Sequence, residues 1–132
     1  MTDCLFCRIV AGDEPRHHVW EDDEFIAILD RKPVNPGHTL IIPKAHTNYL
    51  FALPPDTYSG LFLAARRLEP ALKRLTGAPR IGLAVEGFGV DHVHLHVIPL
   101  FRHGDIDPHR ATPASEEDLL PMAEQLRQEL AR

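Results

Sequence analysis

The chain has 132 residues, 44% of them hydrophobic, and a formal net charge of −5. That length suits one domain, read as residues 1–132, and excludes two large units. The acidic balance argues against broad nucleic-acid binding, which needs a basic face, but leaves room for a single nucleotide in a local pocket.

The N-terminus, "MTDCLFCRIV", has no basic region ahead of a long apolar run and does not read as a secretory signal. No stretch is as long as a membrane span. A cytoplasmic location and no membrane partner are expected. Cys4 and Cys7 are the only cysteines. One close pair in a reducing compartment does not make a disulfide framework. C-x-x-C is half of a zinc site or a redox pair. A redox pair opens a helix after a strand, whereas this one lies almost at the chain start.

"VWEDDEFIAILD" predicts two short strands joined by the acidic turn Glu21–Glu24, with period-two alternation from Phe25 to Leu29. Pro33, Pro36 and Gly37 punctuate a loop. "HTLIIP" predicts a third strand, stopped by Pro43. "LPPDTYSGLFLAARRLEPALKRLTG" is the main helix, with Asp56 as N-cap and Leu61, Ala65, Leu68 and Leu72 as its apolar stripe. Pro70 predicts a kink or an early end, and Gly77 closes the segment. "RIGLAVEG" and "HVHLHVIPL" are the fourth and fifth strands, antiparallel across a short link. In the tail, Ser115 and Asp118 suggest a helix cap, with Pro121 as the rival first turn. The fold class is α+β: an antiparallel five-stranded sheet with one main helix and a C-terminal helix. The core spans about residues 4–100, and 101–132 form a tail.

In "DHVHLHVIPL", His92, His94 and His96 alternate with Val93, Leu95 and Val97. On a strand the imidazoles share one face and the aliphatic residues enter a core. Three buried structural histidines would each need a partner. H-x-H on a strand can chelate a catalytic metal. A pH switch needs a partner that the sequence does not show. Phosphoryl chemistry uses all three: one neutral imidazole as nucleophile and its neighbours on phosphate oxygens.

"HVHLHVIP" resembles the H-φ-H-φ-H-φ-φ signature of the histidine-triad family of nucleotide hydrolases and transferases, φ being apolar. "CLFCRIVAGDEP" resembles that family's N-terminal strand and turn. "FIAILDRKPVNPGHTLIIPKAH" resembles its central hairpin, with the acidic residue, the G-H and the P-K-x-H at the expected offsets. Together these cover residues 4–100. "AVEGFGVDHVHLH" resembles a bacterial-type branch with a shortened loop before the triad.

The resemblance implies a homodimeric hydrolase or transferase acting at the α-phosphate of nucleoside phosphoramidates or dinucleoside polyphosphates. His94 would be the nucleophile and would carry the nucleotidyl intermediate. His96, His38, Gly89 and Val90 would surround the phosphate. Asp30 would accept hydrogen bonds from both ribose hydroxyls, as two carboxylate oxygens can. Leu5, Phe6, Ile9, Ile28, Leu29 and Arg31 would enclose a purine base. Members with C-x-x-C near the start resemble zinc-containing branches, which selects Cys4, Cys7, His46 and His92 as a closed, structural zinc shell. No organic cofactor is implied.

Two departures matter. Val85 stands where eukaryotic members often have a ribose-binding Asn, and Gly89 where they carry a Ser thought to protonate the leaving group. Amine leaving groups are therefore put in doubt, while polyphosphate and phosphosulfate stay open. The rival reading is a nucleotide-binding interaction module with little turnover. His17, His18, His103 and His109 have no evident partner and are expected on the surface.

Overall fold

The computed structural model describes residues 3–131. Five strands, β1 (His18–Glu21), β2 (Phe25–Leu29), β3 (Thr39–Pro43), β4 (Arg80–Ala84) and β5 (Leu95–Leu100), form one sheet in the order β1-β2-β3-β5-β4. Every neighbouring pair is antiparallel. Three α-helices complete the fold: α1 (Leu5–Ala11), α2 (Pro55–Thr76) and α3 (Glu116–Leu130). The expected α+β class, five-stranded sheet, main helix and C-terminal helix are all present.

The N-terminal segment differs from expectation: it is a helix, not a strand. Cys4 caps it, its Sγ accepting the Cys7 N–H at 3.4 Å, and Gly12 ends it in the left-handed region at φ 84°. That start signal and that stop signal outweigh the strand-like apolar run between them. The helix buries Phe6 and Ile9, three apart on one face, against Ile26, Ile28, Leu40 and Ile42. That contact explains why β2 and β3 are buried along their full length. One sheet face carries the α1 cluster. The other packs Phe25, Ala27, Leu29, Ile41, Leu95 and Val97 with α2 and α3.

The Asp22 carboxylate accepts the N–H groups of Glu24 and Phe25, both at 2.8 Å, and closes the β1–β2 turn. α2 starts one residue before Asp56: Pro54 is its N-cap, with no side-chain cap, and Pro55 begins the helix. Asp56 lies in the first turn, where its charge complements the helix dipole. Pro70 neither ends the helix nor enters the core; it sits on the exposed face, where water can meet the carbonyl it leaves unpaired. Leu61, Ala65, Leu68 and Leu72 are buried as the stripe requires. In α3, Ser115 is the N-cap and Pro121 lies inside the helix.

The tail straps the sheet. The N–H groups of Thr112 and Ala114 donate to the carbonyls of Pro33 and Arg31, at 3.2 and 3.0 Å, fixing the front of the β2–β3 loop. Gly37 in that loop adopts φ 92°, and a Cβ there would lie 2.8 Å from the Thr76 methyl. Glycine thus lets the loop close on α2 immediately before His38. His17 and His18 are half-buried, and His17 lies 2.7 Å from Glu116 at the start of α3. His103 and His109 are exposed.

Candidate functional site

β5 begins only at Leu95, so His92 and His94 precede the strand. The alternation nevertheless holds. Val93, Leu95 and Val97 are buried in the main core. His92, His94 and His96 lie on the α1 side, with His96 paired opposite Leu40 in register.

Each buried imidazole has a partner that dictates its tautomer. A carbonyl only accepts, so His94 Nδ1 must donate to the His92 carbonyl at 2.7 Å. Its Nε2 therefore keeps a free lone pair. The Val34 N–H donates to His38 Nδ1 at 3.0 Å, so the His38 proton resides on Nε2. That nitrogen donates to His96 Nδ1 at 2.9 Å, with Asp30 Oδ2 3.5 Å away. His96 consequently carries its proton on Nε2. His92 Nε2 donates to the Pro43 carbonyl at 2.7 Å, leaving Nδ1 as a lone pair. The outcome is one unprotonated nitrogen on His94 beside an N–H on His96, with the two rings 5.1 Å apart.

These rings open onto a cavity of about 280 Å³, lined by Leu5, Phe6, Arg16, Leu29, Asp30, Arg31, Leu40, Glu86, Phe88, Gly89, Val90, His94 and His96. Of the residues singled out in the sequence, His38 lies just behind His96. Ile9 and Ile28 are one layer back, each 1% exposed in the α1 cluster, and line no part of this cavity. Phe6 stands edge-on to His94, 4.9 Å between centroids. Four lining residues escaped sequence reading: Arg16, Leu40, Glu86 and Phe88. Phe88 is 77% exposed and flanked by Gly87 and Gly89, both at positive φ. The only sequence signal for that exposed rim is "EGFG" itself. Arg16 and Arg31 both donate to the Pro15 carbonyl, at 3.1 and 3.2 Å. A larger cavity of about 460 Å³ lies behind the β2–β3 loop, shared by Asp30 and His38 and closed by the tail. His94 and His96 line the smaller cavity and not this one.

Burial pushes the His38 pKa down from its ordinary 6.5 to about 4, the nearby Asp30 carboxylate opposing only part of that shift. Burial likewise lowers His96, helped by His94 and opposed by Asp30 and Glu86. Both rings are thus kept neutral at physiological pH, as their hydrogen bonds require. A consequence follows for stability. Between pH 6.5 and about 4 the unfolded chain binds the His38 proton and the folded chain does not, so stability falls as pH falls through that window. The loss by pH 4.5 should be on the order of 2–3 kcal/mol. Urea unfolding at pH 7 and pH 4.5 should show His38→Asn losing correspondingly less than wild type.

Next to this cavity, four side chains converge from three segments: Cys4 and Cys7 on the first turn of α1, His46 after β3, and His92 before β5. Spacing of three on a helix puts both sulfurs on one side. His46 Nδ1 and His92 Nδ1 are 3.2 Å apart; Cys4 Sγ and Cys7 Sγ lie 3.4 and 3.5 Å from His92 Nδ1, and Cys7 Sγ lies 3.3 Å from His46 Nδ1. A tetrahedral zinc shell has S···N edges of about 3.6 Å and N···N edges of about 3.3 Å. The donor set fits that ion in kind, number and spacing. Burial, then the hydrogen bond and charge of Cys4, pushes the Cys7 thiol up, so Cys7 resists ionising without a cation. C-x-x-C does open a helix, but no strand precedes it among the described residues.

An antiparallel sheet bearing a histidine triad beside a carboxylate and a Cys₂His₂ cluster defines a class of protein. The HIT domain model matches residues 11–103, and the chain belongs to that family. A HIT-like protein of Mycobacterium tuberculosis is 38% identical over 107 residues, covering 77% of this chain and 74% of that one. Adenylylsulfatase HINT3 of Arabidopsis thaliana is 35% identical over 103 residues, covering 74% of this chain and 52% of that protein. Among solved structures, a zinc-bound histidine triad family protein from Mycobacterium smegmatis superposes with a TM-score of 0.83 at 36% identity, covering 98% of this chain and 94% of that one. A hypothetical histidine triad nucleotide-binding protein from Sulfolobus tokodaii gives 0.86 at 28% identity, covering 97% and 92%. Among the described residues, no helix is long and apolar enough to cross a membrane.

Proposed function

We propose that the chain is a nucleotidyl hydrolase or transferase that cleaves at the α-phosphorus of a nucleotide conjugate through a nucleotidyl-His94 intermediate. The observation that carries this reading is the tautomer pattern: a lone pair on His94 Nε2 next to an N–H on His96 Nε2, on one wall of a cavity. The His94 lone pair attacks phosphorus and the bond to the leaving group breaks, its electron pair departing with that group. Water then attacks phosphorus, the P–N bond breaks, and a proton passes to solvent as His94 returns to neutral. His96 Nε2–H meets a phosphoryl oxygen and stabilises the charge that builds there. Asp30 receives the ribose hydroxyls; its Oδ1 is steadied by the Lys32 N–H at 2.9 Å. Leu5, Phe6, Leu29 and Arg31 form the base slot, and Gly89 and Val90 border the phosphate.

Among the described residues, no hydroxyl side chain lines the cavity. The chemistry therefore favours leaving groups that depart without a proton, such as sulfate or a nucleoside polyphosphate, over amines. The name of the Arabidopsis relative, an adenylylsulfatase, agrees with that preference. The same missing acid favours the second reading, a nucleotide-binding module with little turnover. Zinc would be held by Cys4, Cys7, His46 and His92, and its closed shell would supply structural cross-linking of three segments. A homodimer is supported by the exposed edge of β4 with Leu83 and by the aromatic row Tyr49, Phe51, Tyr58 and Phe62.

Rapid mixing with adenosine 5′-phosphosulfate, diadenosine polyphosphate and an adenosine phosphoramidate, followed by intact-protein mass spectrometry, tests this directly. The expected result is a burst of leaving group and an acid-labile adduct of one nucleotidyl group, fastest with the phosphosulfate. Tight binding of the monophosphate with neither burst nor adduct selects the module.

A further inference from the structure

We propose that Asp105 is a positioning residue for this site: acting through Asn35, it fixes the loop that carries His38 and so decides which nitrogen of His96 bears the proton. Asp105 is only 2% exposed and lines no part of the triad cavity. Its Oδ2 gathers three donors: the N–H groups of Phe101 and Arg102, at 2.7 and 3.2 Å, and the amide of Asn35 at 3.3 Å. Its Oδ1 is buried without a hydrogen bond, the Arg110 guanidinium standing 3.4 Å away. A buried carboxylate with one oxygen unsatisfied costs stability, so its retention calls for a reason.

The reason lies along the chain of contacts. The Asn35 amide is pinned twice, by Asp105 in the loop after β5 and by the Pro99 carbonyl of β5 at 2.8 Å. The Asn35 carbonyl accepts the His38 N–H at 3.1 Å. Val34, next to Asn35, supplies the N–H that occupies His38 Nδ1. Tail contacts secure the front of this loop at Arg31 and Pro33; Asn35 secures the rear. Release the rear and His38 can turn away from Val34 and carry its proton on Nδ1. Its Nε2 then accepts, His96 must donate from Nδ1, and the N–H that faces the cavity is gone. A charged acceptor suits Asp105 because three donors converge on one oxygen.

The test uses ¹⁵N-histidine-labelled full-length protein at neutral pH, where imidazole shifts report each tautomer. In wild type, His38 and His96 should both be Nε2–H. In Asn35→Ala and Asp105→Asn, His96 should become a mixture or switch, whereas His94 stays Nδ1–H and His92 Nε2–H on their backbone carbonyls. A merely structural role would lower the unfolding temperature and leave the tautomers alone. The kinetic arm rests on the proposed function: kcat should fall about 10- to 100-fold, as for a slightly misplaced group, with KM within roughly threefold. If wild type turns over no nucleotide, that reading fails while the spectra still decide this one. Folded Asn35→Ala with wild-type tautomers overturns the proposal. Should Asp105→Asn fail to fold, Asn35→Ala, a half-buried position that leaves the carboxylate in place, gives the answer alone.

Discussion

Replacing His94 with alanine should abolish the nucleotidyl adduct and lower kcat/KM on the order of 10⁴-fold or more, the scale seen when a covalent nucleophile is removed. Neither of the other triad histidines can take over. His96 Nε2 holds a proton, its Nδ1 is occupied by His38, and His92 is buried with its remaining nitrogen turned to the cysteines. Nucleotide affinity should change little, because Asp30, His96 and the base slot are untouched. Calorimetry with a nucleoside monophosphate should therefore give a dissociation constant within about tenfold of wild type, a range of about 1.4 kcal/mol. His94→Gly offers a complementary readout: free imidazole should restore part of the leaving-group release and accumulate as its own nucleotidyl derivative. If His94→Ala turns over within tenfold of wild type, or the adduct maps to another residue, the nucleophile has been misassigned.

Much of this site was legible because the residues that compose it are rigidly spaced. His92, His94 and His96 share a face whether or not the first two belong formally to β5, since the Val93–Leu95–Val97 series must enter the core. The P-K-x-H histidine and C-x-x-C converge as the family resemblance suggested. What escaped was set by tertiary contacts without local period. "CLFCRIVA" has the apolar density of a strand; only the Cys4 cap and the Gly12 terminus reveal a helix. Arg16 reaches the cavity because Pro15 turns its carbonyl toward two guanidiniums, which no pattern in "GDEPRH" announces. The family resemblance puts Ile9 and Ile28 in the base slot, but α1 packing places them in the core. The role of Asp105 needs a partner seventy positions away.

Removing the metal is the second large effect expected, and it should act on stability first. Purified protein should contain one zinc per chain by mass spectrometry of the metal, and Cys4→Ser/Cys7→Ser should contain none. The shell would join the N-terminal helix, the segment after β3 and the approach to β5, three parts distant in sequence. Without the ion, two thiols and two imidazole nitrogens crowd at about 3.2–3.5 Å and offer one another only weak S–H hydrogen bonds. Zinc-finger peptides owe about 10–16 kcal/mol to their metal, but this domain has a core of its own, so a loss of about 3–5 kcal/mol is expected. For a chain this size that corresponds to a fall in Tm of roughly 10–20 °C. Activity should decline as well, less steeply than in His94→Ala, because the His92 carbonyl that orients His94 Nδ1–H belongs to a metal-binding residue. The exposed His46 should be the mildest ligand to lose. A chelator that abolishes turnover and leaves Tm unchanged would make the metal catalytic rather than structural, and a zinc-free protein with wild-type Tm would remove it from the site altogether.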